Sequence, residues 1–383
     1  MPSCQAFDIC VRGGGIVGRT LALLLARERL RVALVPGAAA RAGEASDVRA
    51  YALNAASRQL LEGLRCWPDP EHATAVLAMQ VFGDDGGEVN FDAARQGRGL
   101  PLAWIVDVPA LQVRLADAVR YQPQIEVLEQ PPAQAALTVV CEGKASSSRA
   151  ELGVAYDVHA YGQTAIATRL QCERPHGQVA RQWLLTNEVL ALLPIGGAEG
   201  RQVAVVWSVP QQRAAACMAL DDAGLAQALE TLSHGALGQL QVNGERAAWP
   251  LQLAQAQHFV GRTAGSADGP AFAWALAGDA AHTVHPLAGQ GLNLGLGDAA
   301  ELVEQLRGRA PWRSVGDMRV LRRYERARKA ALAAMRLATD GLQQLFARDV
   351  PAWQSVRNLG MQGFERSGPL KRWVTRQAMG VQD

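Results

Sequence analysis

The chain has 383 residues, nearly half of them apolar and 19% charged, with a net charge of +2. That is the profile of a soluble globular protein with room for two or three domains and a large core, and it gives no global reason to expect nucleic acid. Six scattered cysteines without a CxxC pair read as reduced thiols of a cytoplasmic protein, and the longest apolar run, LALLLA at 21–26, is far too short to span a bilayer.

The first 35 residues read strand, glycine turn, helix, strand. In FDICVRGGGIVGRTLALLLARERLRVALV, Gly13, Gly15 and Gly18 fill the three glycine places of G-x-G-x-x-G. In this setting Gly13 permits the tight turn, Gly15 lets backbone reach a pyrophosphate, and Gly18 lets the helix pack on the strand. Two residues depart from that pattern. The second strand should end in an acid that holds a ribose, but it ends in Val35 and Pro36, and the first carboxylate afterwards is Glu44. Arg12 stands where the first strand usually has an apolar residue. It reads either as a side chain escaping to the sheet edge or as a cation near the pyrophosphate.

Residues 76–104 and 154–260 alternate polar and apolar, with turn signals such as GDDGG, and read as an antiparallel sheet. LLPIGGAEGRQVAVVWSVP is a hairpin within it. Trp104, Trp183 and Trp207 are candidates to line an aromatic cavity, although each taken singly reads as core. Between QIEVLEQ and ALTVVCEG there is only a short PPAQA link.

Near the C-terminal third, FAWALA has strand length and GDAAHTVHPLAGQGLNLGLGDA follows it into a helical pattern, AAELVEQL. Gly278, Gly289, Gly291, Gly295 and Gly297 crowd this one crossing, more than a plain loop requires, and a helix N-terminus adds unpaired N–H groups. This is a second ligand site. His282 and His285 within it read as structural or backbone contributors. From about 315 the chain reads as helical, with Lys and Arg outnumbering acids about two to one. GPLKRWVTRQAMG there combines a Trp with Lys371, Arg372 and Arg376. Its plain reading is a solvated helix end; the sharper one is a membrane-surface contact.

Two glycine-rich crossings, near residues 15 and 290, fit a long cofactor lying across a sheet. On these motifs, and on DVRAYALNAASRQLLEGLRCW, WIVDVPALQVRLADAV, AYGQTAIATRL and LRRYERARKAALAAM, the chain resembles the FAD-dependent aromatic hydroxylases of the para-hydroxybenzoate hydroxylase type. Within them it is most similar to the polyprenylphenol hydroxylases of ubiquinone biosynthesis. The resemblance covers nearly the whole chain.

It implies an α/β fold, α+β overall: a three-layer, Rossmann-like FAD-binding domain from 1–75, 105–153 and 261–340, an antiparallel substrate domain from 76–104 and 154–260, and a helical segment over 341–383. It implies FAD as cofactor, NAD(P)H as co-substrate, and O2-dependent hydroxylation of a polyprenylated phenol. The partner is then a small aromatic substrate. The enzyme would be cytoplasmic, at the periphery of the inner membrane face, as a homo-oligomer or within a quinone-forming complex. Another phenol hydroxylase, acting on a soluble substrate, would share every motif. A member that has lost tight FAD binding and serves as an assembly partner is the reading from a different class.

Carried over residue by residue, the resemblance gives Asp279, beside Gly278, the flavin-side hydroxyls, and gives Pro286 and Gly289 the positioning of flavin ring and substrate. The backbone from Gly289 through Gln290, Gly291 and Leu292 to Asn293 would face the pyrimidine end of the ring. Arg49 matches an arginine near the pyrophosphate and Gln112 a glutamine of the flavin-domain helix. The family's second fingerprint, D-G-x-x-S-x-x-R, reads EGKASSSR here: Glu142 replaces the aspartate, while Gly143, Ser146 and Arg149 remain. A small β-meander usual before it is missing. No metal site or catalytic triad is implied.

Overall fold

The first strand, β1 (Phe7–Arg12), leads through a glycine turn into helix α1 (Ile16–Arg27), and β2 (Val32–Val35) returns beside it. β2 is buried along its whole length, as a parallel strand covered on both faces must be. The chain continues through β3 (Ala50–Leu53), α2 (Ala55–Gly63), β4 (Ala73–Val76), β5 (Ala78–Gly83), β6 (Glu88–Asp92) and β7 (Ala103–Asp107). Next come α3 (Val108–Arg120), β8 (Ile125–Val127), β9 (Ala135–Val140) and α4 (Ser147–Glu151). Then follow β10 (Tyr156–Cys172), β11 (Val179–Leu185), β12 (Glu188–Ile195), β13 (Gln202–Pro210), α5 (Gln211–Met218) and α6 (Asp222–Leu232). The last elements are β14 (Leu240–Val242), β15 (Ala247–Ala256), β16 (Val260–Arg262), β17 (Ala273–Leu276), β18 (His282–Thr283), α7 (Gln290–Arg307) and α8 (Met318–Phe346). This computed structural model describes residues 7–37, 47–83, 86–96, 99–264, 271–284 and 290–346, with backbone alone at 96 and 334–346.

Six strands form one sheet in the order β16-β17-β9-β1-β2-β8, parallel except for the edge strand β16. The chain leaves β1 toward β2 on one side and comes back to β9 on the other. The strand order therefore reverses at β1, and an open α/β sheet binds its ligands in the crevice at such a point. Residues 128–134 join β8 to β9 without an intervening strand, so the missing meander is a feature of the fold.

A second sheet runs β18-β15-β10-β13-β12-β11-β5-β6, with β14 on β10. It is antiparallel, as its alternation predicts, with one exception: β11 pairs with β5 in parallel. Those strands lie a hundred residues apart in sequence, and no hairpin dictates their direction. The hairpin of β12 and β13 forms around Gly196 and Gly197, both at positive φ. A third sheet of three antiparallel strands, β3-β7-β4, completes the set. The short β18 joins β15 immediately after the Gly278 turn, so that turn lies where the parallel and antiparallel sheets meet.

Trp104, Trp183 and Trp207 are buried in the packed interior. Trp104 meets Trp67 edge-on, Trp183 stacks on Phe82, and the Trp207 indole donates to Glu188. They are core residues. Lys371, Arg372 and Arg376 lie outside the described residues.

Candidate flavin site

At the end of β1, Gly13 has φ +123°, and its N–H donates to the Val35 carbonyl at 2.8 Å. A Cβ here would stand 2.3 Å from the carbonyl oxygen of Cys141, so no other residue fits against the end of β9. Gly18 plays the packing role: a Cβ would lie 1.9 Å from the Gly13 carbonyl oxygen. Gly15 is different. It caps α1 in extended backbone without any side-chain bond, and a Cβ there would meet nothing within 4 Å. The first-turn N–H groups of α1 therefore look out over open space with the positive end of the dipole behind them.

Arg12 is taken up by carboxylates. Its guanidinium pairs with Glu142 at 3.4 Å and Glu151 at 3.1 Å. Glu142 also accepts from Ser146 Oγ, from the Ser148 N–H at 3.0 Å and from Ser148 Oγ. Burial raises the Glu142 carboxyl, but the Ser148 and Ser146 bonds and the Arg12 charge outweigh it and hold the group below its ordinary value. Arg12 and Glu142, each a departure from the family pattern, thus compensate one another, 130 residues apart. Further along, Arg149 donates to the carbonyls of Ala280 and Lys144 and lies 3.6 Å over the Tyr156 ring. Tyr156 Oη in turn donates to the Asp279 carbonyl at 2.9 Å. The second fingerprint is tied through these bonds to the Gly278 turn.

That turn is pressed against α1. Gly278 sits at φ +63°, and Cβ atoms at Gly278 and Gly295 would meet Val17 at 3.4 and 2.7 Å. Beneath it lies Asp298, fully buried on α7. Its Oδ2 accepts from the Gly278 N–H and from His282 Nε2, both at 2.7 Å, and its Oδ1 pairs with Arg328 at 2.5 Å. Burial alone would raise this carboxyl; His282, Arg328 and the Gly278 N–H together depress it instead. Asp298, Arg328 and Tyr156 escape a motif reading. The signal available for Asp298 is a charge on the apolar stripe of α7, among Leu294, Gly295, Ala299 and Leu302.

Asp279 is reached by solvent, but protein crowds it on most sides. That crowding strips hydration and raises its carboxyl pKa, while the charges of His282, Arg49 and Lys144 pull it down. Among the described residues nothing donates to this carboxylate. Arg49 is close enough to feel its charge, yet its guanidinium is held by both oxygens of Asp47 and by the Tyr51 hydroxyl at 3.2 Å. Gln112 lies on α3, where its backbone carbonyl accepts from Arg19. Among the described residues its buried side-chain Oε1 has no partner.

At the start of α7, Gln290 is half-buried and a Cβ at Gly291 would meet nothing within 4 Å. Leu292 turns into the core. The Asn293 side chain is consumed internally: Nδ2 donates to the Ala52 carbonyl at 2.8 Å, and Oδ1 accepts from the Asn54 N–H and Ser57 Oγ. Only its backbone remains available. Pro286 and Gly289, with His285 and Glu44, lie outside the described residues.

The structure thus brings Gly13, Gly15 and Gly18 to the crevice, stacks Gly278 and Gly295 on the same helix, and sets Asp279 beside them. A Cβ at Gly15 or at Gly291, in the first turns of the two helices, would meet nothing within 4 Å, and among the described residues the buried Gln112 Oε1 has no partner. These features fit an elongated, anionic, hydroxyl-bearing ligand such as FAD.

Sequence comparison agrees. A model of the FAD binding domain matches residues 112–338. The chain is 30% identical to the ubiquinone hydroxylase UbiL of Rhodospirillum rubrum, over 98% of this chain and 90% of that one. It is 28% identical to the 3-demethoxyubiquinol 3-hydroxylase of Escherichia coli, over 98% and 99%. Among solved structures, the p-nitrophenol 4-monooxygenase PnpA of Pseudomonas putida superposes with a TM-score of 0.73 over 99% of both chains at 18% identity. The chain belongs to the FAD binding domain family, and its fold is that of the FAD-dependent monooxygenases.

Proposed function

We propose that this protein is an FAD-dependent monooxygenase that hydroxylates the aromatic ring of a polyprenylphenol precursor of ubiquinone, consuming NAD(P)H and O2. The observation that carries this reading is the end-to-end similarity to a ubiquinone hydroxylase, together with the glycine turn at the strand-order switch. FAD, when bound, supplies the redox and oxygen chemistry. The chain's own residues bind, orient and enclose. The N–H groups before α1, around Gly15, hold the pyrophosphate, Asp279 accepts from flavin-side hydroxyls, and Gln112 Oε1 accepts from a cofactor donor. The backbone N–H groups from Gly289 to Asn293 stabilise negative charge on the pyrimidine edge. Pro286 and Gly289 position ring and substrate, and Arg49 contributes positive charge near Asp279.

In this reading the six-stranded unit is the cofactor domain and the nine-stranded sheet the substrate platform. The enzyme works at the inner face of the membrane where its substrate resides, as a homo-oligomer or with other quinone-forming enzymes. A member that has lost FAD binding is the weaker reading, because Arg12 and Glu142 neutralise each other.

The experiment is deletion of the gene in its host, followed by quinone profiling. An under-hydroxylated polyprenylphenol should accumulate, and the Asp279→Ala protein should not restore the quinone. A normal profile would remove the quinone pathway and leave a soluble phenol as substrate; full rescue by Asp279→Ala would favour the non-catalytic role.

A further inference from the structure

The N-terminal half of α8 carries four exposed arginines, Arg319, Arg322, Arg323 and Arg326, at spacings of three, one and three residues. Those spacings place all four on one stripe of a helix. The opposite stripe, Val320, Leu321, Tyr324 and Leu332, is buried, and the Tyr324 hydroxyl donates to the Leu276 carbonyl at 2.7 Å. The helix is therefore docked by its apolar side with its cationic side outward. A hollow of about 630 Å³ beside its first turn is lined by Arg262, Trp312, Arg313, Met318 and Arg319. Trp312 is 83% exposed, the most exposed large apolar side chain among the described residues.

Among the described residues, the neighbouring acids Asp317 and Glu325 are already committed. Asp317 pairs with Arg313 at 2.6 Å and accepts from the Arg319 N–H. Glu325 accepts from the Phe259 N–H and pairs with Lys329 at 2.9 Å. None of Arg262, Arg319, Arg322, Arg323 and Arg326 makes an ion pair among the described residues. A chain with net charge +2 thus concentrates uncompensated charge on one flank and sets a bare indole beside it.

We propose that this flank docks on a membrane surface of anionic phospholipid. Guanidinium groups match headgroup phosphates in geometry and charge. Trp prefers the level of the headgroups, where its ring is half apolar and its N–H is hydrated. A nucleic acid or an acidic protein would use the arginines but leaves the 83% exposed indole unexplained. None of the residues that form this surface is among those assigned to FAD. It deepens the reading above and rests on that reading for its purpose, the delivery of a membrane-dwelling phenol.

The test is co-flotation of the full-length, FAD-loaded protein with vesicles of phosphatidylcholine alone or with phosphatidylglycerol. Each basic residue near an anionic surface strengthens partitioning by about fivefold. Replacing Arg319, Arg322, Arg323 and Arg326 by Gln should therefore lower binding to the anionic vesicles by well over tenfold. The corresponding Arg→Lys protein should retain most of it, and Trp312→Ala should weaken it further in either background. Flavin content and melting temperature, read on the same samples, should match the parent. That separates loss of docking from loss of fold or of flavin binding. Equal binding of the Gln variant and the parent, or a parent that ignores anionic vesicles at low salt and binds a polyanion such as heparin instead, overturns the proposal.

Discussion

Gly15 and Gly18 stand three residues apart in one motif, and the structure gives them opposite sensitivities. At Gly15 the backbone has φ −76° and ψ −176°, open to any residue, and a Cβ meets nothing within 4 Å. Alanine there should leave the fold nearly unchanged, because reduced freedom of the unfolded chain, about 0.4–1 kcal/mol, roughly offsets its poorer capping. The methyl group enters the space assigned to the pyrophosphate, however, and displaces at least one charge-assisted hydrogen bond, worth about 1.5–3 kcal/mol. FAD affinity should fall by about tenfold to a hundredfold with little change in melting temperature. At Gly18 a Cβ would lie 1.9 Å from the Gly13 carbonyl oxygen, which is backbone and cannot rotate away. Helix α1 would have to retreat by about 1 Å, an overpacking cost of about 1–3 kcal/mol or more, so Gly18→Ala should lower the melting temperature as well as flavin binding. Flavin fluorescence titration paired with thermal unfolding of each variant decides the matter. Parental FAD affinity in Gly15→Ala would refute the placement of the pyrophosphate, and an unchanged melting temperature in Gly18→Ala would refute the packing argument.

Three further outcomes are expected. Asp279→Ala should lose about tenfold to a hundredfold in FAD affinity while keeping the fold, measured by titration; because crowding raises this carboxyl, parental affinity should also weaken on acidification before an ordinary aspartate would protonate. Asp298→Asn should destabilise the protein by about 3–5 kcal/mol in urea unfolding, since it strands Arg328 beside a buried neutral amide. The folded Asp298 pKa is depressed, so its contribution is complete above the unfolded value of about 3.9 and lost as pH falls through the lower folded value; the Asn variant should lack that acid-labile component, and identical acid profiles would count against the network. Pro36→Glu, which restores an acid at the end of β2, should tighten FAD binding by about tenfold if the missing ribose contact limits affinity; an unchanged dissociation constant would remove that explanation.

Much of the flavin site is local, and local order is what an amino-acid sequence declares. The short apolar run of β1, the glycines of the first turn, the apolar face of α1 and the hairpin at Gly196 and Gly197 each depend on neighbours a few residues away. The crossing from β17 toward α7 is legible for the same reason, and so is the absence of strands between β8 and β9. The partnerships were not legible. Whether Arg12 escapes, binds pyrophosphate or pairs with Glu142 is decided by β1 and β9 being neighbours in the sheet. Asn293 gives up its side chain to Ala52, Asn54 and Ser57 because α7 begins beside the β3–α2 corner. Trp183 and Trp207 are buried because α5 and α6 pack onto the face of the second sheet that carries them, and β11 runs parallel to β5 because no turn joins the two. Periodicity and turn chemistry specify elements and their ends; which distant side chains meet is set by the packing of those elements, and only the folded chain carries that information.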